Sequence, residues 1–127
     1  MVKKTKRNIK LDFKSRYAGV HLLIDFWGGK KIEEPKKLER ILVAAAKKAN
    51  NTPLKVSIHK FYPQGVTGII LLAESHIAVH AWPEYDYIAI DIFTCGRNAL
   101  PYRAFEYFKK IYQPKRVKIR EIKRGKR

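Results

Sequence analysis

One cysteine and one methionine stand among 127 residues. A single cysteine excludes an intrachain disulfide and a thiolate metal cluster. It fits a reducing, cytoplasmic setting. No run approaches about 18 uninterrupted apolar residues, the mark of a membrane-spanning helix. The start, Met-Val-Lys-Lys-Thr-Lys-Arg, has no apolar segment behind it of the kind a secretory signal needs. Seven glycines and six prolines are too few for a collagen-like or low-complexity chain. Acidic residues are scarce: 11 Asp and Glu face 28 Lys and Arg, a formal net charge of +17.

That excess is uneven. Residues 1–16 carry seven Lys or Arg against one Asp, and residues 115–127 carry eight against one Glu. Basic ends attract polyanions, so a basic nucleic-acid-binding domain is one reading of the chain. No nucleic-acid-binding motif accompanies the charge, and a solvated basic tail is the plainer reading. The 46% apolar and 12% aromatic content supports the core of one ordinary domain. The Lys-rich, Met- and Cys-poor composition also suits a thermophile.

Along the chain, residues 1–16 read as a polar basic arm and 17–127 as one domain. Tyr17–Trp27 is β-branched and aromatic and reads as a strand, stopped by Gly28-Gly29. Pro35 opens a helix over Lys36–Asn50, with Leu38, Ile41, Leu42, Ala45 and Ala46 on one face. Leu54–Tyr62 alternates as a strand, with Leu54, Val56 and Ile58 on one side. Val66–Ala73 is almost wholly apolar, which predicts a central strand buried on both faces. Ile77–Trp82 and Tyr87–Cys95 read as strands separated by a turn at Pro83–Asp86. Pro101–Tyr112 has helical spacing at Phe105, Phe108 and Tyr112, and Val117, Ile119 and Ile122 give a last strand. Few helices between runs of strands predict an α+β two-layer sandwich, a mostly antiparallel sheet with helices on one face. Two helices cannot cover both faces of such a sheet, so a second subunit is expected over the other.

The chemically unusual stretch is 67–96. Glu74-Ser75-His76 interrupts two apolar strand segments, His80 follows, and Cys95 ends a later strand. Five residues of strand put Ser75 and His80 on opposite faces, so a break is needed if both serve one site. A Ser-His-Asp hydrolase lacks its G-x-S-x-G elbow here. A zinc site from His59, His76, His80 and Cys95 matches no common spacing. Taken singly, a strand-end cysteine is usually a small buried hydrophobe, and a lone strand histidine a structural residue.

Together these residues are not anonymous. The run from Phe61 to Gly96, with Glu-Ser-His at 74–76, His-Ala-Trp-Pro-Glu-Tyr at 80–85 and Phe-Thr-Cys-Gly at 93–96, closely resembles the prokaryotic S-adenosylmethionine decarboxylases. These are small, self-processing, pyruvoyl-dependent enzymes of polyamine (spermidine) biosynthesis. The resemblance reaches from about Gly19 to Ile122 and leaves out the arm.

The resemblance implies autocatalytic cleavage at Glu74–Ser75, giving a 74-residue β chain (1–74) and a 53-residue α chain (75–127). The Ser75 hydroxyl would turn the amide into an ester. Loss of its α-proton would split the ester, and Ser75 would become a covalent pyruvoyl group, the only cofactor expected. Thr67 stands where the family has a serine and would donate a hydrogen bond to the oxyanion. His80 aligns with the proton acceptor of processing. In turnover the substrate amine forms a Schiff base at the Ser75-derived carbonyl, and Cys95 aligns with the proton donor that quenches the carbanion. Phe61 aligns with an aromatic that stacks on adenine, and Glu84 with a carboxylate that holds the ribose. No metal, membrane or nucleic-acid partner is implied. A dimer of processed protomers is expected, its site near the subunit junction. Processing residues serve relatives of either substrate class, so a same-scaffold arginine decarboxylase is the alternative enzyme.

Overall fold

The computed structural model describes residues 17–126; the arm expected over 1–16 lies outside them. Among the described residues there are six strands and two α-helices: β1 (Gly19–Trp27), α1 (Pro35–Lys48), β2 (Pro53–Lys60), β3 (Val66–Leu72), β4 (Ser75–Trp82), β5 (Tyr87–Cys95), α2 (Pro101–Tyr112) and β6 (Arg116–Arg124). A single 3-10 turn over Pro83–Tyr85 joins β4 to β5. The strands form one sheet in the order β2-β3-β4-β5-β1-β6, and every neighbouring pair is antiparallel. Both helices pack on the same face, α1 over β2 and β3 and α2 over β5. The expected α+β sandwich is the observed one.

Helix α1 starts with Pro at its first turn, where no intrahelical N–H is lost, and ends with Lys47 and Lys48 against the negative end of its dipole. Its face of Leu38, Ile41, Leu42, Ala45 and Ala46 is buried, as spaced in the sequence. Gly68 sits beneath it. A Cβ there would come within 2.8–2.9 Å of Leu38, Leu42 and Ile58 side chains, so only glycine lets the helix approach β3 this closely. The core continues through Leu22, Ile24 and Phe26 of β1, Ile88, Ile90 and Ile92 of β5, and Phe105, Phe108 and Tyr112 of α2. Burying each of these Leu, Ile and Phe side chains stabilises the fold by about 1.5–3 kcal/mol.

Two strand readings need correction. The apolar run of β3 is buried on one face only: Val66, Gly68, Ile70 and Leu72 face the helices, while Ile69 is 42% and Leu71 50% exposed. Apolar content alone does not tell which side the second layer covers. Leu54 does not share a face with Val56 and Ile58 either. The pairing of β2 with β3 shifts register between Pro53 and Lys55, and Leu54 is exposed.

Candidate active site

The face away from the helices carries Thr67, His76, His80 and Cys95, which alternate with the core residues of their strands. Ser75, the first residue of β4, pairs with the buried Thr94, and its Oγ reaches the open-face His76 at the end of the strand. Strand β4 is continuous from Ser75, with no bulge in its pairing to β3 or β5. The break expected between Ser75 and His80 is absent, so five residues of strand, about 16 Å, separate them. The candidate residues fall into two groups at opposite ends of β4.

The first group surrounds the Glu74–Ser75 peptide. Strands β3 and β4 are joined by the two residues Ala73 and Glu74, with Leu72 paired to Ser75. Neither loop residue has a positive φ; that torsion falls on Ser75, at 147°. This region is rarely adopted by residues with a Cβ, and occupying it costs about 1–3 kcal/mol. The junction is held from several sides. Glu74 is buried; its carboxylate accepts from the Thr52 backbone N–H at 2.9 Å and the Thr52 hydroxyl at 3.1 Å. The Cys95 thiol donates to the Glu74 carbonyl oxygen at 3.2 Å. Ser75 Oγ lies 3.2 Å from His76 Nδ1. Burial, with the Glu74 carboxylate adding to it, pushes the Cys95 thiol up from its ordinary pKa, so it stays protonated at neutral pH. A concavity of about 170 Å³ opens beside Cys95, bordered by Gly19, Val20, Thr94 and Arg97.

The second group sits at the other end. Thr67 is the register partner of His80, and its Oγ1 lies 3.1 Å from His80 Nδ1. The His80 ring stacks on Trp82, centroids 5.9 Å apart. Phe61, just beyond β2, is 48% exposed and meets His59 edge-on at 4.6 Å. Glu84 lies exposed on the 3-10 turn after Trp82. Thus Glu74, Ser75 and Cys95 come together, and Thr67 comes together with His80 near Phe61 and Glu84. The two groups do not meet within one chain. Among the described residues, no three His, Cys, Asp or Glu are gathered to hold a metal ion, and no helix is long and apolar enough to cross a membrane.

Sequence reasoning missed Thr52, whose grip on Glu74 is made by the loop before β2 and has no local sequence signal. It also left His76 without a role, although the residue after a serine at a tight turn is well placed to reach its hydroxyl.

The chain is similar to known proteins over most of its length. The family profile described as S-adenosylmethionine decarboxylase matches residues 20–125. The S-adenosylmethionine decarboxylase proenzyme of Methanococcus vannielii is 41% identical over 112 residues, 87% of this chain and 92% of the relative. That of Persephonella marina is 42% identical over 109 residues, covering 84% and 82% respectively. Among solved structures, the adenosylmethionine decarboxylase of Aquifex aeolicus superposes with a TM-score of 0.79 at 35% identity, over 87% of this chain and 92% of that one. The match spans both groups of candidate residues, and the chain belongs to the S-adenosylmethionine decarboxylase family.

Proposed function

We infer that this chain decarboxylates S-adenosylmethionine after cutting itself between Glu74 and Ser75. The observation that carries the reading is the Glu74–Ser75 junction itself. It combines a serine at φ 147°, a thiol on the preceding carbonyl oxygen and an imidazole on the hydroxyl. An N-to-O acyl shift needs a nucleophile, a donor for the oxyanion and a held carbonyl. All three fit conversion of Ser75 into a pyruvoyl group. That group, once formed, supplies the electron sink that decarboxylation of an α-amino acid requires and no ordinary side chain offers. The chain's own residues do the rest. Cys95, beside Ser75 and kept protonated by burial, gives its proton to the substrate Cα. Phe61 offers an exposed face for adenine, and Glu84 a carboxylate for the ribose hydroxyls.

The separation of the two groups supports a homodimer as the working unit. Ser75 and His80 lie at opposite ends of one straight strand. A two-fold axis near Ala78 that laid two open faces together would bring Ser75 of each copy to His80 of the partner subunit. Exposed Ile69 and Leu71 would be covered by the same contact. Thr67, His80, Phe61 and Glu84 then serve the partner's Ser75 and Cys95.

The substrate is tested by incubating the purified protein with carboxyl-labelled S-adenosylmethionine or arginine. Labelled carbon dioxide is expected from the first and not the second. Release from arginine alone would assign the chain to the other substrate class.

A further inference from the structure

His76 has a place in the first covalent step. Its Nδ1 lies 3.2 Å from Ser75 Oγ, and the ring is fixed by its neighbours. Phe93, its register partner on β5, meets it edge-on at 5.8 Å, and His21 of β1 does so at 6.5 Å. His80, in contrast, is five strand residues away and is engaged by Thr67. We propose that His76 is the general base that activates the Ser75 hydroxyl for attack on the Glu74 carbonyl, within its own chain. The inference rests on the self-processing reading and deepens it.

The step balances without any further reactant. His76 Nδ1 takes the hydroxyl proton as Ser75 Oγ bonds to the Glu74 carbonyl carbon. The carbonyl π electrons move to oxygen, where the Cys95 S–H already donates. Collapse of the tetrahedral centre breaks the carbon–nitrogen bond, and the imidazolium returns the proton to the Ser75 nitrogen. An ester and a free amine result, with His76 neutral again. Removal of the Ser75 α-proton is a separate step and needs a separate base.

The surroundings suit that task. His21 faces His76 across the sheet with its Nε2 3.0 Å from Asp91 Oδ1, and Arg124 of β6 lies over Phe93 at 4.7 Å. From β3 the register partner is Leu71, which is uncharged. Burial first, then His21 and Arg124, hold His76 below the ordinary histidine pKa of 6.5, and Asp91 opposes them only in part. The imidazole is therefore a free base at neutral pH. Ester formation should fall as the pH drops through the lowered value, with the midpoint of that fall below 6.5.

The experiment isolates this step. Full-length chains made by cell-free synthesis are followed with time, and hydroxylamine, which cuts esters but not amides, reports the ester at 74–75. His80→Ala provides a background in which ester accumulates. Adding His76→Gln, which keeps a polar side chain without a titratable nitrogen, should slow ester formation by about 10²–10⁴-fold. His76→Ala should be equally slow, and free imidazole in solution should restore part of the rate. Ester formation at the His80→Ala rate in the His76→Gln double variant would overturn the proposal. So would slow formation in both variants that imidazole leaves untouched with the acid limb of the pH profile unchanged. If the wild-type chain itself never converts Ser75, the self-processing reading has failed instead, and that result is distinct.

Discussion

Cys95→Ala is expected to leave the chain cut and nearly unable to turn over. Self-cleavage requires a hydroxyl nucleophile, a base and an oxyanion donor. The thiol donates to the Glu74 carbonyl oxygen, so its loss should slow cleavage. A sulfhydryl is a weak donor, and the remaining groups should still complete the reaction. Decarboxylation is a different matter. The carbanion must be protonated at one carbon, and Cys95 is the only thiol in the chain. Loss of a placed general acid is worth about 10²–10⁴-fold, which is the expected fall in product per pyruvoyl group. Residual turnover should also lose activity sooner, because a proton delivered to the wrong carbon consumes the cofactor. Burial and the neighbouring Glu74 carboxylate raise the thiol above its ordinary pKa of 9.0. The acid form therefore persists through neutral pH, and the midpoint of the wild-type alkaline decline should lie above 9.0. Equal turnover and equal lifetime in Cys95→Ala and wild type would reduce Cys95 to a small packing residue.

His80→Ala should stop processing at the ester. The Ser75 α-proton then has no base positioned for it, and the uncut chain should be cleaved at 74–75 by hydroxylamine. The geometry adds a second expectation. With about 16 Å of strand between the two residues, His80 cannot serve Ser75 of its own chain. Co-expressing His80→Ala with Ser75→Ala chains should restore cleavage of the His80→Ala partner, since a mixed dimer joins its intact Ser75 to an intact His80. Cleavage of His80→Ala alone at the wild-type rate would remove His80 from the mechanism. A stalled chain that no Ser75→Ala partner rescues would contradict the shared site.

Much of this was legible in the sequence because local pattern and tertiary demand agree. The α1 face from Leu38 to Ala46 repeats at three and four residues, and that face is buried. Tyr87–Cys95 and Pro101–Tyr112 begin and end where their turn residues put them. What failed was information that no single segment holds. Ile69 and Leu71 are as apolar as Ile70 and Leu72, yet lie on the face the helices leave uncovered; an apolar run does not tell which of its sides the helices cover. Glu74-Ser75-His76 looked like an interruption of three residues, while the turn is only Ala73-Glu74 and β4 begins at Ser75. A polar trio suggests a loop, but the antiparallel ladder to Leu72 and Thr94 extends through the serine. The positive φ at Ser75 follows from that compact turn and could not be read from a residue type that usually avoids it. The motifs named the candidate residues, and only the register of β4 revealed that they stand in two groups.

The central claim is that Ser75 becomes the catalytic group by breaking its own peptide bond, and intact-mass measurement of the purified protein tests it most directly. The account predicts two chains in place of one of 14.8 kDa: a 74-residue chain ending in Glu74 and a 53-residue chain blocked at its N-terminus, with Ser75→Ala remaining whole and inactive. A wild-type chain that decarboxylates while still full length, or a Ser75→Ala chain that is cut normally, would contradict it.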